Sequence, residues 1–145
     1  MDDVPPRLVE VGASFAQTYR PLLDLGDWMV AMLRQFDVVA PAKFHRVERH
    51  RNSDEVFILT AGTADLIVFD GDEAPQEPSY VLPMRANVAY NVRQAVWHHV
   101  VMSSDAHIVL FERSETSVGT TDYAALAPGQ IAALQARFSV SREEG

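Results

Sequence analysis

The sequence predicts an all-β domain, a barrel or sandwich of short strands, and three observations predict it. Runs rich in Val, Ile, Phe, Tyr and Thr recur through the middle of the chain, broken at short intervals by turn formers such as Ala61-Gly62 and Asp70-Gly71. No long stretch of helical period separates them, which argues against a parallel sheet with crossover helices. The 145 residues, 48% hydrophobic and 22% charged, suit one globular domain that buries its own core without a disulfide or structural metal.

Each element follows from local chemistry. Residues 1–26 mix polar and apolar side chains around Pro5, Pro6 and Pro21, and read as an extended N-terminal arm. The strands then run Asp27–Arg34, Lys43–His50, Glu55–Thr60, Ala64–Phe69, Ser79–Pro83, Ala89–Val92, Val96–Met102 and His107–Glu112, a barrel domain over 27–113. Residues 114–145 form a C-terminal segment. In it Pro128 opens a short helix, 128–138, whose Ile131, Leu134 and Phe138 make one apolar stripe. Ser139–Gly145 is polar and charged and is expected to fray.

Composition excludes several functions. There is no Cys, hence no disulfide framework, thiolate metal site or thiol nucleophile. Twelve Lys and Arg against twenty Asp and Glu give a formal net charge of −8, a field that opposes nucleic acid and anionic membrane surfaces. No apolar run approaches the length of roughly 18–20 residues needed to span a bilayer. The acidic start Met1-Asp2-Asp3-Val4-Pro5-Pro6 does not read as a signal peptide, so the expected compartment is the cytoplasm. A Gly-rich phosphate loop, a GxSxG elbow and an HExxH helix are all absent.

One strand has no apolar face. On Lys43–His50, Phe44, Arg46, Glu48 and His50 share one side, and Lys43, His45, Val47 and Arg49 the other. Such a strand is either a charged, exposed edge or the wall of a wet cavity. Ligand spacing bears on the choice. Glu48 and His50 share a face, Glu55 follows after a turn's length, and His98 lies on another strand. Two imidazoles and two carboxylates without sulfur suit Mn(II), Fe(II), Ni(II) or Zn(II). Arg46, on the same face, is placed either to clamp an anionic substrate group or to pair with Glu48. Glu55 has a bland alternative too, as a surface carboxylate paired with Arg46 or Arg51.

These residues resemble the cupins. The first cupin motif runs Gly, five residues, His-x-His, three or four residues, Glu, six residues, Gly; here Ala42-(five)-Glu48-Arg49-His50-(four)-Glu55-(six)-Gly62 keeps that spacing. The second runs Gly, five residues, Pro-x-Gly, two residues, His, and is matched in spacing by Asn87-(five)-Arg93-Gln94-Ala95-(two)-His98. Val96-Trp97-His98-His99 is similar to a segment of the ureidoglycolate lyases, and the wider run from Glu48 to His98 to small bacterial cupin-like proteins without assigned activity. The resemblance implies a cupin jelly roll and a metal set of Glu48, His50, Glu55 and His98, with Glu48 in a slot that is usually His. Loss of a ligand in cupins often accompanies a metal-free site, so both states stand.

Further expectations follow. With His98 facing inward, His99 faces outward with Trp97 and Val101; a one-residue slip would exchange the two histidines. Tyr90 is a candidate for both substrate binding and catalysis, beside Glu55 and His98 as proton carriers. His45 and His107 read as solvated or ordinarily hydrogen-bonded. Trp28, Met29, Met32 and Leu33 lie on an early strand expected to be covered by a second subunit in a homodimer. The function these features imply is binding of a small oxygen-rich metabolite, a sugar acid or ureido acid. The reaction would be that of a divalent-metal-dependent lyase or isomerase, with a metal-free acid–base lyase and a non-catalytic binding module as alternatives.

Overall fold

The computed structural model describes residues 4–116 and 118–141. Among them ten strands form two five-stranded sheets. In chain order they are β1 (Tyr19–Asp24), β2 (Trp28–Arg34), β3 (Arg46–His50), β4 (Glu55–Ala61), β5 (Ala64–Phe69), β6 (Ser79–Pro83), β7 (Ala89–Val92), β8 (His98–Met102), β9 (His107–Arg113) and β10 (Thr121–Ala125); helix α1 covers Pro128–Gln135. The first sheet has the order β1-β2-β9-β4-β7 and the second β10-β3-β8-β5-β6. All pairings are antiparallel, giving a jelly roll of two facing sheets rather than one continuous barrel.

Alternation along the strands builds the core. Met29, Ala31 and Leu33 of β2, Phe57 and Leu59 of β4, and Ile108 and Leu110 of β9 are buried on the inner face of the first sheet. Leu66, Val100 and Met102 meet them from the second. Between β4 and β5 the chain reverses at Gly62, where φ is +70° and a Cβ would come within 2.5 Å of the Ala106 Cα. Two non-glycine residues, Asn87 and Ala95, also adopt φ of +65°. Both stand where the cupin motif has glycine, the residue that adopts such a φ at least steric cost.

The second sheet is covered on its outer side as well. Phe44, Val47, Ile67, Phe69, Trp97 and Val101 pack there against Leu126 and Leu134 in a second core. His99, Trp97 and Val101 do share the outer side, as alternation requires, but that side lies beneath α1 and is buried. The helix is shorter than the expected 128–138, yet Phe138 still reaches this core through tighter turns, its ring 5.6 Å from that of Phe44. Ser139 and Val140 do not fray. Their backbone N–H groups donate to Asp65 Oδ2 at 2.8 and 3.0 Å, and the Ser139 hydroxyl donates to Asp65 Oδ1 at 2.5 Å. Residues 142–145 lie outside the described residues.

Three further differences have simple causes. Tyr19–Asp24, expected in the arm, is an edge strand; Pro21 lacks a donor, and the register shifts between Pro21 and Leu23, as an edge tolerates. Its presence moves β2 inside the sheet, so Trp28–Leu33 is not an exposed edge. Likewise β10, rich in Ala, pairs with β3 along its length, and β3 is therefore interior. The edge explanation of its polar character falls, and the cavity explanation remains. Among the described residues no helix is long and apolar enough to cross a membrane.

Candidate metal centre and binding cavity

The two inner faces enclose a cavity of about 380 Å³, near the lower end for ligand sites. Strand parity sends Arg46, Glu48 and His50 of β3 into it. β8 contributes His98, directly across from Glu48, and β4 contributes Glu55 at its first position. One ligand atom from each of Glu48, His50, Glu55 and His98 lies within 4.8 Å of all the others. The structure thus assembles the whole set that spacing suggested. His50, Glu55 and His98 are buried and Glu48 is partly exposed.

The hydrogen bonds orient this set toward a common point. His98 Nδ1 donates to the Val96 carbonyl at 2.9 Å, which turns Nε2 toward Glu55 Oε1, 3.1 Å away. His50 Nδ1 shares a 3.0 Å hydrogen bond with the Thr121 hydroxyl. Its Nε2 lies 3.3 Å from Glu55 Oε1 and 3.9 Å from Glu48 Oε1, yet is buried without a hydrogen-bond partner. An imidazole fixed through one nitrogen with the other aimed at carboxylates is the arrangement that metal-binding histidines adopt. The donor set fits a divalent transition metal.

Sequence reasoning missed a third acidic group. Glu112 on β9 is directly opposite Glu55, is buried, and accepts a 2.8 Å hydrogen bond from the Tyr19 hydroxyl. Period two on β9 holds the missing signal, since Ile108, Leu110 and Glu112 share the core face. Burial, reinforced by the neighbouring Glu55, pushes Glu112 up to about 8. Glu55 moves the opposite way: burial works to raise it, but the His50 and His98 imidazoles beside it hold it well below the ordinary range. Burial acts to lower both histidines and is outweighed by Glu55, so His50 and His98 are raised. Burial also raises Glu48.

Other predicted residues fall differently. Arg46 reaches the cavity but forms no ion pair with Glu48; its guanidinium lies over the Tyr123 ring, 4.4 Å from the centroid. Glu55 is not a surface carboxylate, and Arg51 pairs with Asp122 instead. Tyr90 is a correction: its hydroxyl accepts the Arg85 backbone N–H at 2.9 Å, outside the cavity. Tyr19 and Tyr123 are the tyrosines that line the space. His99 is buried, donates through Nε2 to the Val38 carbonyl at 2.9 Å, and is driven down to about 3 by burial. His45 bonds the Lys43 carbonyl and His107 contacts Arg34, as ordinary hydrogen-bonded histidines.

These shifts set the pH response of the metal-free protein. Between the ordinary carboxylate value of 4.5 and about 8 the folded state holds a proton on Glu112 that the unfolded chain has released. Stability therefore falls as pH rises through that window, by up to about 1.4 kcal/mol per unit for one proton. Raised His50 and His98 act in the same direction, their contribution complete below 6.5 and lost as pH climbs through the raised values, whereas His99, lowered to about 3, opposes them only below 6.5. Urea unfolding in chelator is expected to give a lower midpoint at pH 8 than at pH 5.5, with a flatter profile for Glu112→Gln. A midpoint that rises with pH contradicts this electrostatic picture.

No family model and no curated protein matches the chain. Solved structures do. A variant of Streptomyces Pac13 with uridine superposes with a TM-score of 0.55 at 11% identity, covering 84% of this chain and 92% of that one. Pac13 itself is described as a nucleoside dehydratase. KdgF from Halomonas sp. matches at 0.51 and 10% identity, over 73% and 87% of the two chains. A cupin-2 domain protein from Shewanella frigidimarina matches at 0.47 and 18% identity, over 70% and 84%. With the strand topology, the likenesses to Pac13 and KdgF show the fold alone, a jelly roll of two facing antiparallel sheets as the motif spacings predict.

Proposed function

We propose that the chain is a divalent-metal-dependent lyase or isomerase acting on a small oxygen-bearing acid held between its sheets. One observation carries this reading: four potential ligands from three strands converge within 4.8 Å at the wall of a cavity, with His50 Nε2 buried, without a hydrogen bond and 3.3 Å from Glu55. Glu48, His50, Glu55 and His98 would hold the ion. When bound, it supplies Lewis-acid polarisation of a substrate oxygen. Arg46 anchors an anionic group of the substrate, and Glu55 or His98 would move the proton only where it is not holding the ion. The sugar acid or ureido acid expected from the sequence enters as the starting ligand class.

Metal content tests this reading. Protein purified without a metal-affinity tag and reconstituted with Mn(II), Fe(II), Ni(II) or Zn(II) is expected to retain close to one equivalent. Retention below about a tenth of an equivalent of each ion rejects it. A second reading, the metal-free acid–base lyase, is favoured by a specific pair: Glu112 is held protonated directly opposite an ionised Glu55. Two carboxyls with values pushed apart are the pattern of an acid and a base sharing one site. Activity that survives complete metal removal but is lost in Glu112→Gln would select it.

The homodimer also belongs to this reading. Val30 and Met32 of β2, Val56 and Ile58 of β4, and Val109 and Phe111 of β9 leave the outer face of the first sheet apolar and only half-buried. Sedimentation velocity at micromolar concentration checks it.

A further inference from the structure

We infer that the ligand is a small monocarboxylic acid with oxygen donors at one end and an apolar body, rather than a polyhydroxylated one. The inference rests on the metal-site reading above only for where the oxygen-bearing end sits. Strand register divides the cavity into layers. Glu48 lies across from His98 and Glu55 across from Glu112, which makes one polar layer. Two residues further along each strand, about 7 Å away, come Arg46 on β3, Val100 on β8, and the directly paired Phe57 and Leu110 on β4 and β9. All four line the cavity. A ligand held at the polar layer therefore meets three apolar side chains and a single guanidinium.

Hydrogen-bonding capacity points the same way. Both nitrogens of His98, the Tyr19 hydroxyl and Nε2 of His99 are engaged within the protein, which leaves His50 Nε2 and the Thr116 hydroxyl as the buried lining atoms without a hydrogen bond among the described residues. Hydroxyls along the ligand's body would face Phe57, Leu110 and Val100 and go unpaired, whereas methyl groups there leave water at no polar cost. Arg46 has no hydrogen bond or ion pair with another described residue and is the one Lys or Arg among the described residues lining the cavity. It sits on the flat face of Tyr123, ready for one carboxylate.

Calorimetric titration decides the matter with three probes: 4-methyl-2-oxopentanoate, pyruvate and glucuronate, each added to Mn(II)-loaded and to chelator-treated protein. The expected result is that 4-methyl-2-oxopentanoate binds at least about tenfold tighter than either other acid, since it adds three buried carbons to the pyruvate frame. Arg46→Met is expected to lose at least about tenfold of that affinity with Mn(II) content unchanged, and Arg46→Lys to recover part of it. Glucuronate binding as tightly as 4-methyl-2-oxopentanoate, indifference to Arg46→Met, or no binding of any probe overturns the inference. Failure to take up Mn(II) strikes the metal reading instead. The order of affinities in chelator-treated protein then still decides the ligand class.

Discussion

Asp65→Ala is expected to lower the unfolding free energy by about 3 kcal/mol or more. Asp65 is fully buried on the outer side of β5, and accepts from the Ser139 and Val140 backbone N–H groups and from the Ser139 hydroxyl. Removal strands three donors at a site closed to water, which costs far more than an average bond contributes. The same contacts return the chain end to the sheet and hold α1 over Trp97 and Val101, so packing is lost along with the bonds. Asp65→Asn keeps the shape but turns an amide toward a donor, and is expected to lose less. Urea denaturation measures both. Truncation after Phe138 should weaken the protein similarly, and adding Asp65→Ala to it should do little more, because both remove one interaction. A loss below about 1 kcal/mol for Asp65→Ala would show that the tail is not held there.

Glu55→Gln is expected to lower transition-metal affinity by more than about 100-fold while leaving the fold intact. Outer partners of metal ligands already cost 10–100-fold, roughly, when removed, and Glu55 is placed as a ligand itself. A single oxygen of Glu55 lies 3.1 Å from one imidazole and 3.3 Å from the other, so its charge holds both in place. The amide has the same outline and no charge. In the metal-free variant, burial acts on the imidazoles unopposed by that carboxylate, and both histidines should titrate below their wild-type positions. Competition with a chromophoric chelator reads the first effect and proton NMR the second. An affinity within threefold of wild type would remove Glu55 from the ligand set.

Much of this site was readable before any coordinates. Period two on Lys43–His50 put Arg46, Glu48 and His50 on one face, and motif spacing brought Glu55 and His98 to them. Spacing is informative because positions two apart in a strand must share a side. What escaped depended on contacts between distant segments. Tyr19 lies in a stretch whose proline masks a strand, and that strand pairs only because the edge of β2 is available. Glu112 hides at the end of an apolar run, where a terminal acid reads as solvent-facing. Tyr90 was credited with reaching the cavity, but β7 is the far edge of its sheet, and the Arg85 amide captures the hydroxyl. Alternation places His99 outward without saying what covers that side. Here helix α1 does.

The bond from Tyr19 to Glu112 joins the outermost strand of one sheet to its most interior acid. Edge strands open more readily than the centre of a sheet, so each excursion of β1 breaks the hydrogen bond that Glu112 accepts. A phenol that donates to a carboxyl favours its ionised form, so ionising Glu112 strengthens the bond that pins this margin, and loosening the margin removes a hydrogen bond that lowers the acid.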